Sequence, residues 1–258
     1  MNMENESQKK ERADQLLFSR GLARSRSAAA EQIERGTVSA GGVLVTKASK
    51  LLPLDAEFTL TGDTPYVGRG GLKLHGAIEA FIANGTLSEQ DIADAETIDI
   101  GSSTGGFTEC LLRKGAKHVL AVDVGTGQFD AGLAKDPRIT VREGTDIRTV
   151  APDSLSAVPS FAVADVSFIS LSKILPSIER LLAPGAKAIV LVKPQFETEP
   201  DEKSGRGVVK HESARLAAIE RIEKEAEKAG FAVLADTPCP VTGERGNQEH
   251  FLLLKKNL

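Results

Sequence analysis

The chain has 258 residues, about the length of one full domain plus a small one, and its 41% hydrophobic and 26% charged residues describe an ordinary soluble globular protein. A formal net charge of -4 excludes a globally basic protein, so contact with nucleic acid would need a local basic patch. Two cysteines, Cys110 and Cys239, with no Cys/His cluster near either, argue against a disulfide framework and a structural zinc site and favour a reducing cytoplasm.

The N-terminal quarter predicts a polar tail followed by a small α+β domain over residues 9–61. Residues 1–8 form the tail, which lacks the apolar core of a signal peptide. Residues 13–22 and 25–36 predict two short helices, each with a glycine at its end. Residues 37–60 alternate apolar and polar side chains around a glycine pair, which predicts a hairpin and one further strand.

Positive charge is concentrated in this same region. Between Lys9 and Lys50 there are nine Lys or Arg residues and four Asp or Glu residues, an excess of 9 − 4 = 5 in a chain that is acidic overall. This excess is the local basic patch that contact with nucleic acid would need.

Residues 71–258 predict an α/β domain with a mostly parallel sheet, joined to the first domain by a turn-rich linker over residues 62–70. Short apolar segments alternate with helical patterns, which specifies parallel strands with helices on both faces. After a long amphipathic helix at residues 211–230, the last two strands predict an antiparallel pair. No apolar run approaches the ~20 residues of a membrane-spanning helix. The seven predicted strands are residues 97–100, 118–124, 139–144, 161–167, 188–194, 231–243 and 249–256.

A glycine-rich turn, DIGSSTGGFTECLL, begins with Asp99 at the end of the first of these strands. It lacks the Gly-Lys-Ser/Thr ending of a triphosphate-binding loop. Ser103 replaces the glycine that lets the backbone approach a pyrophosphate, which weakens a dehydrogenase interpretation without excluding it. A carboxylate at Asp99 would repel a pyrophosphate but suits the amino group and sulfonium of S-adenosylmethionine.

Two further carboxylates have the spacing that an adenosine cofactor requires. Asp123 lies 123 − 101 = 22 residues after Gly101, at the end of the next strand, where a carboxylate can accept hydrogen bonds from both ribose hydroxyls. Asp146, after the third strand, is placed for the adenine side. S-adenosylmethionine is therefore the predicted cofactor. The residues predicted to bind it are Asp99, Gly101, Ser103, Gly105, Gly106, Phe107, Asp123 and Asp146.

Charged residues at the ends of two other strands are candidates for the reaction itself, because reactive groups collect at the carboxyl ends of parallel strands. Asp165 ends FAVAD and Lys193 ends AIVLVK. A partly desolvated lysine near a second cation has its pKa lowered toward neutrality, as a base acting on a sugar hydroxyl needs, and Lys73 is the candidate second cation. The motif typical of exocyclic-amine methylation is absent, and the four histidines have no metal-ligand spacing, so no metal is predicted.

Six segments of the chain resemble known domains: RADQLLFSRGLARSRSAAAEQIERGTVSAGG, YVGRGGLKL, DIGSSTGGFTECLL, ADVSFISL, VLVKPQFE and GNQEHFLLL. The first resembles the ribosomal-protein-S-four-like RNA-binding domain. The other five resemble the hemolysin-A (TlyA) family of S-adenosylmethionine-dependent 2′-O-ribose methyltransferases of ribosomal RNA. The resemblance implies a Rossmann-like, FtsJ-like methyltransferase domain beside an RNA-binding domain. It also implies ribosomal RNA or ribosomal subunits as partners and cytidine as the target.

The resemblance further implies roles for single residues. The family's Lys-Asp-Lys-Glu set falls on Lys73, Asp165, Lys193 and Glu249, with Lys193 accepting or steering the proton of the 2′-hydroxyl. Arg69, in the linker, is expected to couple RNA binding to closure of the cofactor site. A non-catalytic RNA-binding or ribosome-assembly factor, or a membrane-active hemolysin, would be alternative functions. The residues expected to contact RNA are Arg20, Arg24, Arg26, Arg35, Lys47 and Arg69.

Overall fold

A computed structural model describes residues 10–20, 22–23, 25–60, 66–198, 208–209, 211–241 and 247–258. The predicted tail, residues 61–65 and Arg24 lie outside these ranges. The strands are β1 (Lys10–Arg12), β2 (Val38–Ala40), β3 (Val43–Leu44), β4 (Leu51–Pro53), β5 (Phe58–Leu60), β6 (Glu96–Ile100), β7 (His118–Val122), β8 (Ile139–Arg142), β9 (Phe161–Ala164), β10 (Lys187–Val192), β11 (Phe231–Pro238) and β12 (His250–Lys256). The helices are α1 (Ala13–Ser19), α2 (Arg26–Glu34), α3 (Arg69–Ala83), α4 (Gly106–Arg113), α5 (Leu175–Leu181), α6 (Pro194–Glu197) and α7 (Glu212–Lys228).

The N-terminal region combines two helices with two small sheets. β1 pairs antiparallel with β4, and β2 lies between β3 and β5. Gly41 and Gly42 join β2 to β3 with φ of 56° and 77°, the backbone that a two-residue hairpin turn favours. A hairpin and one further strand were predicted over residues 37–60, where the structure has the hairpin and two further strands, β4 and β5. β1 was not predicted, because its three charged residues carry no strand signal. A separate hydrophobic cluster that includes Leu17, Ile33 and Val38 holds the region together.

Seven strands form one sheet in the order β11-β12-β10-β9-β6-β7-β8. β12 runs antiparallel to β10 and β11, and the other pairs are parallel. This confirms the predicted fold class, including the final antiparallel pair. The chain runs outward from β6 to β8 and then returns to β9 on the other side of β6. Such a reversal leaves a crevice at the carboxyl ends of β6 and β9, the two adjacent strands where the direction changes.

Helices cover both faces of this sheet. Leu74 of α3 and Leu111 of α4 belong to the core on one face, whereas Ile178 of α5 and Ile222 of α7 belong to the core on the other. Successive strand residues alternate between the two cores, as the pleat requires. Among the described residues, no helix combines the length and the apolar character needed to cross a membrane.

The predicted linker extended to residue 70, but α3 already begins at Arg69. The glycines that suggested a turn serve a close approach of two helices instead. A Cβ on Gly106, at the start of α4, would lie 2.8 Å from the backbone nitrogen of Gly71 in α3, so only glycine fits there. A Cβ on Gly70 would lie 3.3 Å from the ring of Phe107. The last two residues of the predicted linker, Arg69 and Gly70, therefore belong to α3.

Candidate active site

The turn after β6 lies against the end of β9. Gly101 has a φ of 81°, and a Cβ on it would lie 3.0 Å from the carbonyl carbon of Asp165 and closer still to its oxygen. Ser103 also has a positive φ, 46°, and its backbone N–H donates to the carboxylate of Asp123 at 2.7 Å. The other carboxylate oxygen of Asp123 accepts from the N–H of Gly125 at 2.7 Å. Asp123 thus ties the turn after β6 to the turn after β7.

A cavity of about 570 Å³, the first cavity, opens at these strand ends. Four residues of the predicted cofactor site line it: Gly101, Ser103, Asp123 and Asp146. Asp146 lies where the adenine side was expected, but Arg148 already pairs with its carboxylate at 2.6 Å and also lines the cavity. The size lies within the ~300–1,000 Å³ usual for small-ligand sites.

Asp99 and Gly105, two other residues of the predicted cofactor site, line neither the first cavity nor a second cavity that adjoins it. The side chain of Asp99 is fully buried and accepts a hydrogen bond from the hydroxyl of Thr108 in α4 at 2.6 Å. Burial raises the pKa of Asp99 to about 7, although the bond from Thr108 opposes this shift. The pleat of β6 turns this side chain toward α4. In this structure the side chain of Asp99 therefore faces α4, under the glycine-rich turn, and does not face the cavity as the sequence suggested.

A second cavity of about 500 Å³ shares Gly101, Ser103 and Asp165 with the first as a common wall. Arg69, Gly106 and Phe107 also line it. Besides Arg69, the cavity brings together four charged side chains from distant parts of the chain, one from α3, one after β9, one after β10 and one just before β12. They are Lys73, Asp165, Lys193 and Glu249.

These four side chains form two ion pairs. Lys193 Nζ lies 2.6 Å from Asp165 Oδ1 and donates a hydrogen bond to Ser167 Oγ at 2.8 Å. Lys73 Nζ donates to Glu249 Oε2 at 2.6 Å. Lys193 and Glu249 are buried, with 9% and 2% of their surface exposed. A buried charge without a partner costs several kcal/mol, so each lysine stabilises the acid beside it.

Lys73 was expected to be a second cation acting on Lys193, and the structure places a carboxylate against each lysine instead. Burial lowers the pKa of Lys73, but the attraction of Asp165 and Glu249 outweighs it, and the net shift is upward. Lys73 is therefore a stable ammonium group that is paired with Glu249.

Two aromatic residues at the cavities were missed by the sequence reasoning. Phe168 is 91% exposed with a φ of 64°, and it lines both cavities. Its ring centroid lies 5.3 Å from that of Phe196, which follows Lys193 by three residues. Both residues come shortly after the carboxyl end of a strand. An aromatic residue in that position was the sequence signal that could have assigned them to the site.

Three of the arginines expected to contact RNA bond within the N-terminal region. Arg20 donates to two backbone carbonyl groups of the turn after β4. Arg26 donates to the buried Asp14 at 3.1 Å, and Arg35 pairs with Glu31 one helical turn earlier. Each guanidinium has five N–H donors, so further donors remain for a phosphate. The other three basic residues are Lys47, which is exposed, Arg69, which lines the second cavity, and Arg24, outside the described ranges.

Residues 66–256 match the model of the FtsJ-like methyltransferases. The chain belongs to this family. An FtsJ-like methyltransferase uses S-adenosylmethionine, and the first cavity fits that cofactor: Asp123 offers acceptors to ribose hydroxyls and Gly101 leaves the turn without a side chain. The family match confirms S-adenosylmethionine as the cofactor, while the contacts of these two residues with it stay predictions.

Relatives and a solved structure resemble the chain over most of its length. It is 40% identical to "Putative rRNA methyltransferase YqxC" of Bacillus subtilis, over 95% of this chain and 86% of that protein. It is 38% identical to "16S/23S rRNA (cytidine-2'-O)-methyltransferase TlyA" of Mycobacterium tuberculosis, over 95% and 89%. A solved structure, "Putative hemolysin from Streptococcus thermophilus", matches with a TM-score of 0.72 at 38% identity, over 96% of this chain and 89% of that one.

Proposed function

We propose that this FtsJ-like methyltransferase transfers a methyl group from S-adenosylmethionine to the ribose 2′-hydroxyl of a cytidine in ribosomal RNA. The observation that carries the proposal is the pair Lys193–Asp165, which lies in a cavity sharing a wall with the cofactor cavity. A sugar hydroxyl is a weak nucleophile, and a positioned proton acceptor beside it is the kind of group that its methylation needs. The name of the Mycobacterium tuberculosis relative supports cytidine and ribosomal RNA.

The residues of the second cavity have different roles in the proposed reaction. S-adenosylmethionine supplies a methyl carbon on a positively charged sulfur. Lys193 acts in its neutral amine form, which accepts the proton that the hydroxyl loses and becomes an ammonium group that Asp165 and Ser167 hold in place. Lys73 and Glu249, which line the same cavity, orient the ribose hydroxyl. The sulfur loses its charge during transfer, so the main task of the site is to align the oxygen with the methyl carbon.

Recognition of RNA is assigned to the N-terminal region. Residues 9–61 are proposed as an S-four-like RNA-binding domain, residues 62–70 as a linker whose last two residues already belong to α3, and residues 71–258 as the catalytic domain. The separate hydrophobic cluster of the N-terminal region and its excess of Lys and Arg support this division. Arg69, in the second cavity, is positioned to couple RNA contact to the catalytic domain. A ribosomal partner implies that the protein acts in the cytoplasm.

The decisive experiment compares Lys193→Ala with Lys224→Ala, which alters an exposed lysine of α7. Ribosomal subunits from cells that lack the protein serve as substrate, and 2′-O-methyl positions are mapped by mass spectrometry. Lys193→Ala is expected to lose about 10²–10⁴ in turnover, the range typical of a lost general base. Binding of S-adenosylmethionine, measured by calorimetry, is expected to be retained, and Lys224→Ala to act normally.

Normal turnover by Lys193→Ala would remove this lysine from the mechanism. A wild-type protein that binds RNA but not S-adenosylmethionine would instead favour the non-catalytic RNA-binding alternative.

A further inference from the structure

Glu197 is a buried acid next to the second cavity, and neither the sequence reasoning nor the proposed mechanism gives it a role. It ends α6, four residues after Lys193, and only 3% of its surface is exposed. One carboxylate oxygen accepts from the hydroxyl of Ser170 at 2.6 Å, and the other accepts from the backbone N–H of Leu171 at 2.8 Å. Arg221 of α7 lies 3.6 Å from the first of these oxygens.

These bonds join the two segments that carry the reacting pair. The segment after β9, residues 165–171, begins with Asp165 and ends at Leu171. The segment after β10 begins with Lys193 and continues into α6. At the cavity, Lys193 contacts Asp165 and Ser167. At the buried end, Glu197 holds the far side of the same segment, so residues 165–171 are fixed at both ends.

The segment between the two attachments is strained. Phe168 has a φ of 64°, a left-handed conformation that costs a bulky residue of order 1–3 kcal/mol and persists only where the surroundings impose it. Phe168 is 91% exposed even though its ring contacts that of Phe196, so packing around the ring supplies little of that restraint. Most of the restraint has to come from the ends of the segment, and the bonds to Glu197 begin only two residues later.

We propose that Glu197 is a positioning residue for methyl transfer. By holding Ser170 and Leu171, it keeps residues 165–171 in the strained conformation that places Asp165 and Ser167 against Lys193. The inference rests on the proposed role of Lys193. Once Glu197 is lost, the segment relaxes, and the fraction of molecules with the reacting pair assembled falls.

The test compares two substitutions of Glu197. Glu197→Ala removes both bonds and is expected to lower kcat about 100-fold, since a misplacement of about 1 Å has an effect of that size. The KM for S-adenosylmethionine is expected to change less than kcat: residues 165–169 also line the first cavity, but Asp123 and the turn after β6 stay in place. Glu197→Gln can still accept from the N–H of Leu171 and donate to the hydroxyl of Ser170. It is therefore expected to retain most of the activity.

A control separates positioning from general destabilisation. Thr97→Val removes a buried hydrogen bond of 2.8 Å, from Thr97 to the carbonyl of His118, at the opposite end of β6. It is expected to lower the unfolding midpoint while leaving kcat unchanged. If Glu197→Ala retains wild-type kcat, or if Thr97→Val loses as much kcat as Glu197→Ala, the positioning role is wrong.

Hydrogen exchange tests the attachment without relying on methyl transfer. The amide of Leu171 is expected to exchange faster in Glu197→Ala than in the wild type, together with its neighbours in residues 165–171. Unchanged exchange would overturn the proposal even if activity fell. A third outcome is that the wild-type protein transfers no methyl group, but the amide of Leu171 still exchanges faster in Glu197→Ala than in the wild type. That outcome would refute the proposed function, while the attachment of residues 165–171 by Glu197 would stand.

Discussion

Alanine at position 101 tests whether the close approach of two strand ends builds the cofactor site. A Cβ on Gly101 would lie 3.0 Å from the carbonyl carbon of Asp165 and 3.4 Å from the Cα of Val166, with the carbonyl oxygen of Asp165 closer still. These are backbone atoms, which cannot swing away as a flexible side chain can. The turn after β6 and the end of β9 would therefore have to separate.

The expected loss of stability has two parts. The φ of 81° costs an alanine about 1–2 kcal/mol relative to glycine. The overlap with the backbone of Asp165 costs about 1–3 kcal/mol, as for other overpacked sites. The stiffer unfolded chain returns about 0.4–1 kcal/mol. The net loss expected for Gly101→Ala is about 3 kcal/mol, the middle of the resulting range.

Gly85→Ala is the matched control for this variant. Gly85 has a φ of 77°, almost that of Gly101, but its Cβ would have nothing within 4 Å, and it follows the C-terminal end of α3. Gly85→Ala has the cost of the left-handed backbone conformation but no overlap with other atoms, so its expected loss of stability is about 1 kcal/mol. Urea unfolding measures the stability of both variants, and calorimetry with S-adenosylmethionine measures their binding.

Only Gly101→Ala is expected to lose cofactor affinity, by about tenfold or more, because about 1.4 kcal/mol of displaced contacts suffices for that factor. Equal losses of stability in the two variants, together with wild-type binding by Gly101→Ala, would show that the contact with Asp165 does not shape the site.

Two further predictions concern stability. Since the pKa of folded Asp99 is raised to about 7, its proton stabilises the fold below about pH 4, and that contribution is lost as the pH rises through 7. The unfolding free energy of wild type is therefore expected to fall relative to that of Asp99→Asn between pH 4 and 8, and a constant difference would contradict the assignment. Lys256 donates to two carbonyl groups at the C-terminal end of α5 and pairs with Glu179 at 2.9 Å, so Lys256→Met is expected to lose about 1–3 kcal/mol in urea unfolding. Lys255→Met, on the exposed side of the same strand, should lose much less.

The local parts of the site were predictable from the sequence. The strand, glycine turn and helix around Gly101 follow one another in the chain, so their signals lie together. Asp165 and Lys193 could be assigned to one site because parallel strands end at one edge of the sheet, whatever the spacing along the chain. Those two rules placed the cofactor turn and the two strand-end residues, but the ion pair between Asp165 and Lys193 was not predicted.

The second ion pair could not be predicted from spacing. Lys73 and Glu249 are 249 − 73 = 176 residues apart, and their contact depends on how α3 packs against the start of β12. Glu249 is 2% exposed, yet its neighbours in the sequence are polar, so nothing local indicates burial. Only the resemblance to a family placed it in the site. Asp99 differs for the opposite reason: its position along the chain is the expected one, but the pleat of β6 directs its side chain toward Thr108 of α4, and its contact with the cofactor stays a prediction.

The charges of the second cavity also limit what it can contribute to RNA binding. Its two lysines are each within 2.6 Å of a carboxylate, so those four groups together carry no net charge, and Arg69 adds one positive charge to the lining. A single positive charge gains little from attraction to phosphates, whereas RNA binding depends mostly on several phosphate contacts from Lys and Arg. Most of the affinity for RNA then has to come from outside this cavity, and the excess of five positive charges between Lys9 and Lys50 is the charge available for it. This division explains why one chain carries a nearly neutral reaction site and a basic region.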